Sequence, residues 1–269
     1  MSTSVSVNGR AIQVEEAGHG APLLYLHGIA DLHGASAALL PFHQSLAAGR
    51  RLIAPAHPGC ADSGEDDAME SIEDVVFHYL QLADALGLAE FDLAGTCLGG
   101  WIAAELAVRH PERVNKLVLV GASGLLVPGQ PIGDLFMMAQ SHDGGHLDDL
   151  RAMLFAAADT PEALELFPDG TTDADADLLR YKMFRFASRI GFRPPYFYHP
   201  RLRERLPRYT NSALVIHGAA DTMVPLAHGE AYAAGLGNAR LEVIEDAGHS
   251  PHLEQPDEVA VLVTGFLDG

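Results

Sequence analysis

A cysteine between two glycines, in Gly95-Thr96-Cys97-Leu98-Gly99, is the feature of this chain that most directly suggests chemistry. Phe91 to Ala94 is a short apolar run of the kind a buried strand makes, and Leu98 to Arg109 carries apolar residues at helical spacing. A side chain on the tight turn between them is pushed out of the sheet, and small residues two before and two after it let the neighbouring backbones pass. The first amides of the helix point toward it. Position 97 therefore favours negative charge, on a thiolate or on an oxygen that gains charge during a reaction. Nucleophilic attack on a carbonyl carbon is the chemistry this suits. Taken alone, the same pattern also fits an inert cysteine behind a glycine-rich turn, because free cysteines are usually buried.

The elements that must position Cys97 follow from the hydrophobic pattern. Ser4 to Val7 and Arg10 to Glu16 alternate in strand fashion around Asn8-Gly9, a two-residue hairpin signal at a sheet edge. Apolar runs at Pro22 to Leu26, Arg51 to Ala54, Val114 to Val120, Ala213 to Ile216 and Leu241 to Ile244 read as further buried strands. Helices are expected at Pro41 to Ala48, at Ile72 to Leu86 (capped by Ser71, with Asp74 three residues on) and at Asp257 to Leu267. Continuous apolar strands alternating with helices predict an α/β fold whose mostly parallel sheet is covered on both faces. The alternation breaks at Gly121. From Ser123 to Arg208 the chain is mostly helical, with an acidic part (Asp143 to Asp177) followed by a basic, aromatic part (Arg180 to Arg208).

Composition narrows the partners. With 36 acidic against 17 basic residues the formal net charge is −19, which repels phosphate backbones and argues against nucleic acid. Two cysteines imply no disulfide framework, and a working thiol suits a reducing compartment. Met1 to Arg10 has no apolar signal region, and no later run approaches the roughly 18 apolar residues of a membrane helix, so no membrane association and a cytoplasmic location are expected. His142 and His146 stand among Asp143, Asp148 and Asp149, but Gly144-Gly145 interrupts the helix that would align them. A solvated loop is the expectation there, with no metal and no cofactor.

Four further stretches accompany the Gly-x-Cys-x-Gly turn: His27-Gly28-Ile29 after a strand, the loop His57 to Gly64, His217-Gly-x-x-Asp221-x-x-Val-Pro225, and Gly248-His249-x-Pro-His252-x-Glu-x-Pro256. Together they resemble the alpha/beta-hydrolase superfamily in its capped form. Cys97 falls at the nucleophile elbow, where most members carry serine, and Cys-Leu-Gly-Gly is similar to the elbow of dienelactone hydrolases, which also use cysteine. The resemblance spans the chain except for 123–208. It implies an eight-stranded, mostly parallel sheet flanked by helices, with a core of residues 1–122 and 209–269 and a helical cap, 123–208, inserted after the sixth strand. It also implies that Asp221 is the triad acid, His249 the triad histidine and His252 a packing residue, with the Ile29 and Leu98 amides forming the oxyanion hole. In the 57–64 loop Ala61 replaces the second glycine of the family pattern, and Cys60 reads as a filler.

Nucleophile, acid and histidine occur in the chain order this fold requires, each after a separate apolar strand at one end of the sheet. The expected activity is hydrolysis of an activated acyl bond (a lactone, an enol or aryl ester, or a thioester) of a small molecule through an acyl-thioester. Acyl transfer by the same thioester, diketone-type carbon–carbon hydrolysis and a receptor that binds without turnover stay open. So does a cysteine introduced in place of serine, and a homodimer is compatible with the composition. Nine of the 17 basic residues lie between Arg180 and Arg208. Arg185 and Arg189, one helical turn apart, either recognise an acidic substrate or neutralise the acidic surface, and Trp101 on the elbow helix is a further candidate substrate contact.

Overall fold

The computed structural model describes residues 1–134, 147–170, 173–192 and 196–269. Eight strands form one sheet: β1 (Ser2–Val7), β2 (Arg10–Ala17), β3 (Pro22–Leu26), β4 (Arg51–Pro55), β5 (Phe91–Thr96), β6 (Val114–Val120), β7 (Ala213–Gly218) and β8 (Ala239–Ile244). Their spatial order is β1-β2-β4-β3-β5-β6-β7-β8. The β1–β2 hairpin turns at Asn8 and Gly9, both at positive φ, and is the antiparallel edge; from β4 to β8 every pairing is parallel. This is the expected sheet. β5 runs two residues further than its apolar stretch because Gly95 and Thr96 continue the ladder against β6.

Alternation along the strands divides the core in two. Leu24, Leu26, Ile53, Leu93, Leu117, Leu119 and Val215 face one layer, built with α2 (Ile72–Ala85) and α3 (Cys97–Arg109). Leu23, Tyr25, Leu52, Ala54, Ala94, Val118, Leu214 and Ile216 face the other, covered by α1 (Pro41–Ala47) and the C-terminal helix Pro256–Asp268. Burial on both faces explains why the strands read as unbroken apolar runs. The expected cap of α2 is in place: Ser71 Oγ accepts from the Asp74 amide at 3.2 Å, and Asp74 Oδ2 accepts from the Ser71 amide at 2.9 Å.

Between β6 and β7 the described residues hold α4 (Asp148–Leu154), α5 (Pro161–Leu166), α6 (Ala174–Gly191) and α7 (Leu202–Arg205). Two of these helices, α4 and α6, rest on loops at the C-terminal ends of the parallel strands. Phe186 of α6 stacks on His57 after β4 with ring centroids 4.5 Å apart, and Met153 O accepts from Thr222 Oγ1 after β7 at 3.4 Å. Two buried arginines tie the insertion together. Arg151 donates to Phe167 O at 2.5 Å and pairs with Asp148 and Asp169, while Arg180 donates to Leu166 O at 2.9 Å and pairs with Asp177. The chain continues with α8 (Ala227–Gly235), α9 (Pro251–Glu254) and α10 (Pro256–Asp268). Among the described residues no helix is long and apolar enough to cross a membrane.

Candidate active site

Cys97 takes φ = 50°, a left-handed conformation that costs a side-chain-bearing residue of order 1 kcal/mol or more and survives only where its surroundings enforce it. The glycines around it show what enforces it. A Cβ on Gly99 would lie 2.0 Å from Leu26 O, one on Gly95 2.3 Å from Gly99 O, and one on Gly28 2.9 Å from the Cys97 Cβ. The elbow is thus wedged between the end of β3 and the start of α3, and no larger residue fits at these positions. Thr96 is the N-cap of α3, yet its hydroxyl makes no capping bond and turns instead to Asp31 Oδ2, 2.8 Å away. Neither the Leu98 amide nor the Ile29 amide is spent on a backbone partner among the described residues. Two N–H donors therefore remain available beside Cys97, as an oxyanion hole needs.

His249, in the loop between β8 and α9, is 3% exposed, and Cys97 is 6% exposed. The imidazole Nδ1 lies 2.9 Å from Asp221 Oδ2, and this contact fixes the ring. Asp221, after β7, is itself held by the amides of Met223 and Val224, which donate to Oδ1 at 2.9 and 2.8 Å. With Nδ1 committed to the carboxylate, Nε2 is left as the nitrogen able to exchange a proton. It has no aligned hydrogen-bond partner among the described residues, although Cys97 is near enough to act on its ionisation. Burial by itself lowers the His249 pKa. The charges of Asp221 and Cys97, with the hydrogen bond to Asp221, outweigh burial and raise it well above the ordinary histidine value. Burial likewise raises Asp221, but the His249 charge and hydrogen bonds from His217 and His249 hold the carboxyl well below its usual range.

Three residues the sequence did not single out complete this arrangement. Gly121, at φ = 54°, lies under the His249 loop, where an added Cβ would sit 2.8 Å from His249 O and 3.5 Å from the ring. His217 Nε2 stands 3.2 Å from Asp221 Oδ2 and 2.7 Å from Val224 O, bracing the acid from the strand side. Asp31 anchors Thr96. Gly121 marked a break in pattern and His217 opens the motif quoted for Asp221, but the role of each, like that of Asp31, depends on contacts made only in the fold.

Not every candidate gathers at Cys97. His252 lies against Phe42, ring centroids 5.5 Å apart, and its Nε2 is 3.4 Å from Asp31 Oδ2. Trp101 is buried one turn along α3 from Cys97, with Gly124 over its ring and no hydrogen-bond partner for its indole N–H among the described residues. Arg185 and Arg189 are engaged elsewhere. Both pair with Glu65, and Arg189 also donates to Asp66 O at 2.8 Å, so these guanidinium groups tie α6 to the loop after β4. Cys60 is fully buried under α6, its sulfur 3.8 Å from Met183 Sδ. His142 and His146 lie outside the described residues, and among the described ones no group of three or more His, Cys, Asp or Glu is disposed to hold a metal.

A buried His–Asp pair and an elbow side chain at left-handed φ, presented by the C-terminal ends of a parallel sheet, define a hydrolase-type site. Residues 21–256 match the family model of the alpha/beta hydrolase fold, and the chain belongs to that family. It is 30% identical over 275 residues to a 2-hydroxymuconate semialdehyde hydrolase of Pseudomonas sp. (strain CF600), covering 96% of this chain and 91% of that protein. It is also 30% identical over 260 residues to the pimeloyl-(acyl-carrier protein) methyl ester esterase of Aromatoleum aromaticum, covering 92% and 98%. Among solved structures, 2-hydroxy-6-oxo-6-phenylhexa-2,4-dienoate hydrolase from Rhodococcus sp. strain RHA1 shares the fold, with a TM-score of 0.78 at 20% identity over 100% of this chain and 99% of that one.

Proposed function

We propose that this chain hydrolyses an activated acyl bond of a small molecule, with Cys97 as nucleophile, His249 as acid and base, Asp221 as its orienting partner, and residues 123–208 as a cap over the site. The observation that carries the reading is the strained elbow of Cys97 beside the Asp221–His249 pair. With the Cys97 thiol proton taken up by His249 Nε2, the thiolate sulfur attacks the carbonyl carbon, and the carbonyl electron pair moves to oxygen, which accepts hydrogen bonds from the Ile29 and Leu98 amides. Losing one such donor typically costs about 2.7 to 4 kcal/mol of barrier. Collapse re-forms the C=O bond and expels the alkoxide, which takes the proton from His249 Nε2 and leaves an acyl-thioester on Cys97. His249 then removes a proton from water as the oxygen attacks the thioester carbon; the acid departs and the thiolate–imidazolium pair is restored. Thiolate leaves more readily than alkoxide, so a substrate with a good leaving group partitions forward. That favours lactones, enol or aryl esters and thioesters.

Incubation with an aryl ester tests this directly. A burst of phenol equal to the enzyme concentration, and an intact-mass increase of one acyl group on Cys97 lost in Cys97→Ala, are expected. Turnover without any acyl-enzyme in Cys97→Ala would overturn the assignment. A second reading rests on the relative that acts on a semialdehyde. A hydrolytic cleavage of a substrate without an ester breaks a carbon–carbon bond, and a panel of dienoate diketones followed by mass distinguishes the two readings.

A further inference from the structure

We infer that Asp31 is a positioning residue that holds the oxyanion loop in register with the nucleophile elbow and the histidine loop. The inference rests on the proposed roles of Cys97, His249 and the Ile29 amide. Asp31 lies two residues beyond Ile29 and is 1% exposed. Its own carbonyl accepts from the amides of Gly34, Ala35 and Ser36 at 3.0, 2.8 and 3.1 Å, which curls the loop after β3 back on itself. Its carboxylate then reaches four other parts of the molecule. Oδ1 accepts from the Leu32 amide at 2.7 Å and lies 3.1 Å from His43 Nε2. His43 Nδ1 accepts from the Leu40 amide at 3.2 Å, so the hydrogen of a neutral ring is on Nε2 and faces Asp31. Oδ2 accepts from Thr96 Oγ1 at 2.8 Å and from the Tyr25 hydroxyl, and lies 3.4 Å from His252 Nε2.

These contacts place one buried side chain against the residue before Cys97, the residue three after His249, and the loop that carries Ile29. The Leu32 amide and the Thr96 and Tyr25 hydroxyls donate to it, and a neutral His43 turns its Nε2 hydrogen toward it. A carboxylate accepts at both oxygens, whereas asparagine, of the same size, would turn N–H groups toward one set of these donors. Thr96, the N-cap residue of α3, makes no side-chain cap and instead donates its hydroxyl hydrogen to Asp31. Asp31 touches no reacting atom. Its effect on the reaction is the relative placement of the two oxyanion donors, which matters when negative charge develops on the substrate oxygen.

The test uses Asp31→Asn, Thr96→Val and Thr96→Ser in the full chain, assayed with an aryl ester and, separately, with iodoacetamide, whose reaction at sulfur develops no oxyanion. Asp31→Asn and Thr96→Val should lower kcat roughly 10- to 100-fold with KM within about twofold, the scale expected when catalytic groups shift by about 1 Å. Alkylation of Cys97 should stay at the wild-type rate, and Thr96→Ser, which keeps the hydroxyl, should recover most of the loss. A folded Asp31→Asn with wild-type kcat, or one in which turnover and alkylation fall together, overturns the inference. If Asp31→Asn does not fold, the Thr96 pair decides: equal kcat in Val and Ser variants overturns it. Cys97→Ala is the control for the underlying reading, because full turnover in that variant would refute the proposed nucleophile whatever Asp31 does.

Discussion

The two thiols of this chain occupy opposite settings. Cys97 lies beside the His249 imidazole on a turn at the start of α3, whereas Cys60 is covered by Met183 and the Lys182 carbonyl, and burial pushes its thiol well up from the ordinary value. Limiting iodoacetamide should therefore modify Cys97 and leave Cys60 untouched, as read by peptide mass; modification of Cys60 first would contradict these settings. Cys97→Ala is expected to lower turnover by several orders of magnitude with the fold retained. Cys97→Ser asks whether the elbow serves oxygen as well as sulfur. Because Asp221 raises the His249 pKa, the basic limb of kcat/KM should fall well above about 6.5, the free histidine value, and should move down in Asp221→Asn. Stability follows a different rule. The depressed Asp221 pKa contributes stability that is present above the unfolded carboxylate value of about 3.9 and is lost as pH falls through the folded one, so wild type should lose more stability than Asp221→Asn on acidification below pH about 4.

The helices and strands expected outside 123–208 lie within a residue or two of those observed because burial on both faces leaves apolar runs that turns and caps interrupt, whereas α8 and α9 were not expected. The glycines of the elbow were legible for a steric reason that a substitution can measure. Gly99→Ala would force a Cβ to 2.0 Å from Leu26 O and should cost about 3 kcal/mol or more. Gly265, exposed in α10 with nothing near its Cβ position, should behave in the opposite sense: Gly265→Ala is expected to stabilise by about 0.4 to 1 kcal/mol. Thermal melts of the two variants check both signs. What the chain did not disclose is pairing between elements. Asp31 stands just beyond the stretch singled out for Ile29, and His217 opens the one singled out for Asp221, but the bonds that give them a role cross 65 positions to Thr96 in one case and close a tight loop after β7 in the other. Arg151 and Arg180 are buried clamps within the insertion, held by contacts that no spacing in the chain discloses.

At the scale of the molecule, strand and helix alternation was enough to anticipate the parallel sheet, its antiparallel edge hairpin and the helical stretch before β7. The charge distribution was less transparent. Arginines at helical spacing left an acidic ligand and neutralisation of the acidic surface both open, and Arg185 and Arg189 meet Glu65 and the neighbouring loop, as the second has it. Pairs this exposed contribute about 0 to 1 kcal/mol each, so Glu65→Gln should change the melting temperature little while weakening the hold of α6 on the loop after β4. Cys60 lies under that same helix, and its sulfur is in effect a stopwatch for the joint. Once Cys97 has been blocked, the slow alkylation of Cys60 counts how often α6 lifts away. If the helix detaches on its own, the rate should respond weakly to urea and rise in Glu65→Gln; if it leaves only when the whole domain opens, the urea dependence should equal that of global unfolding.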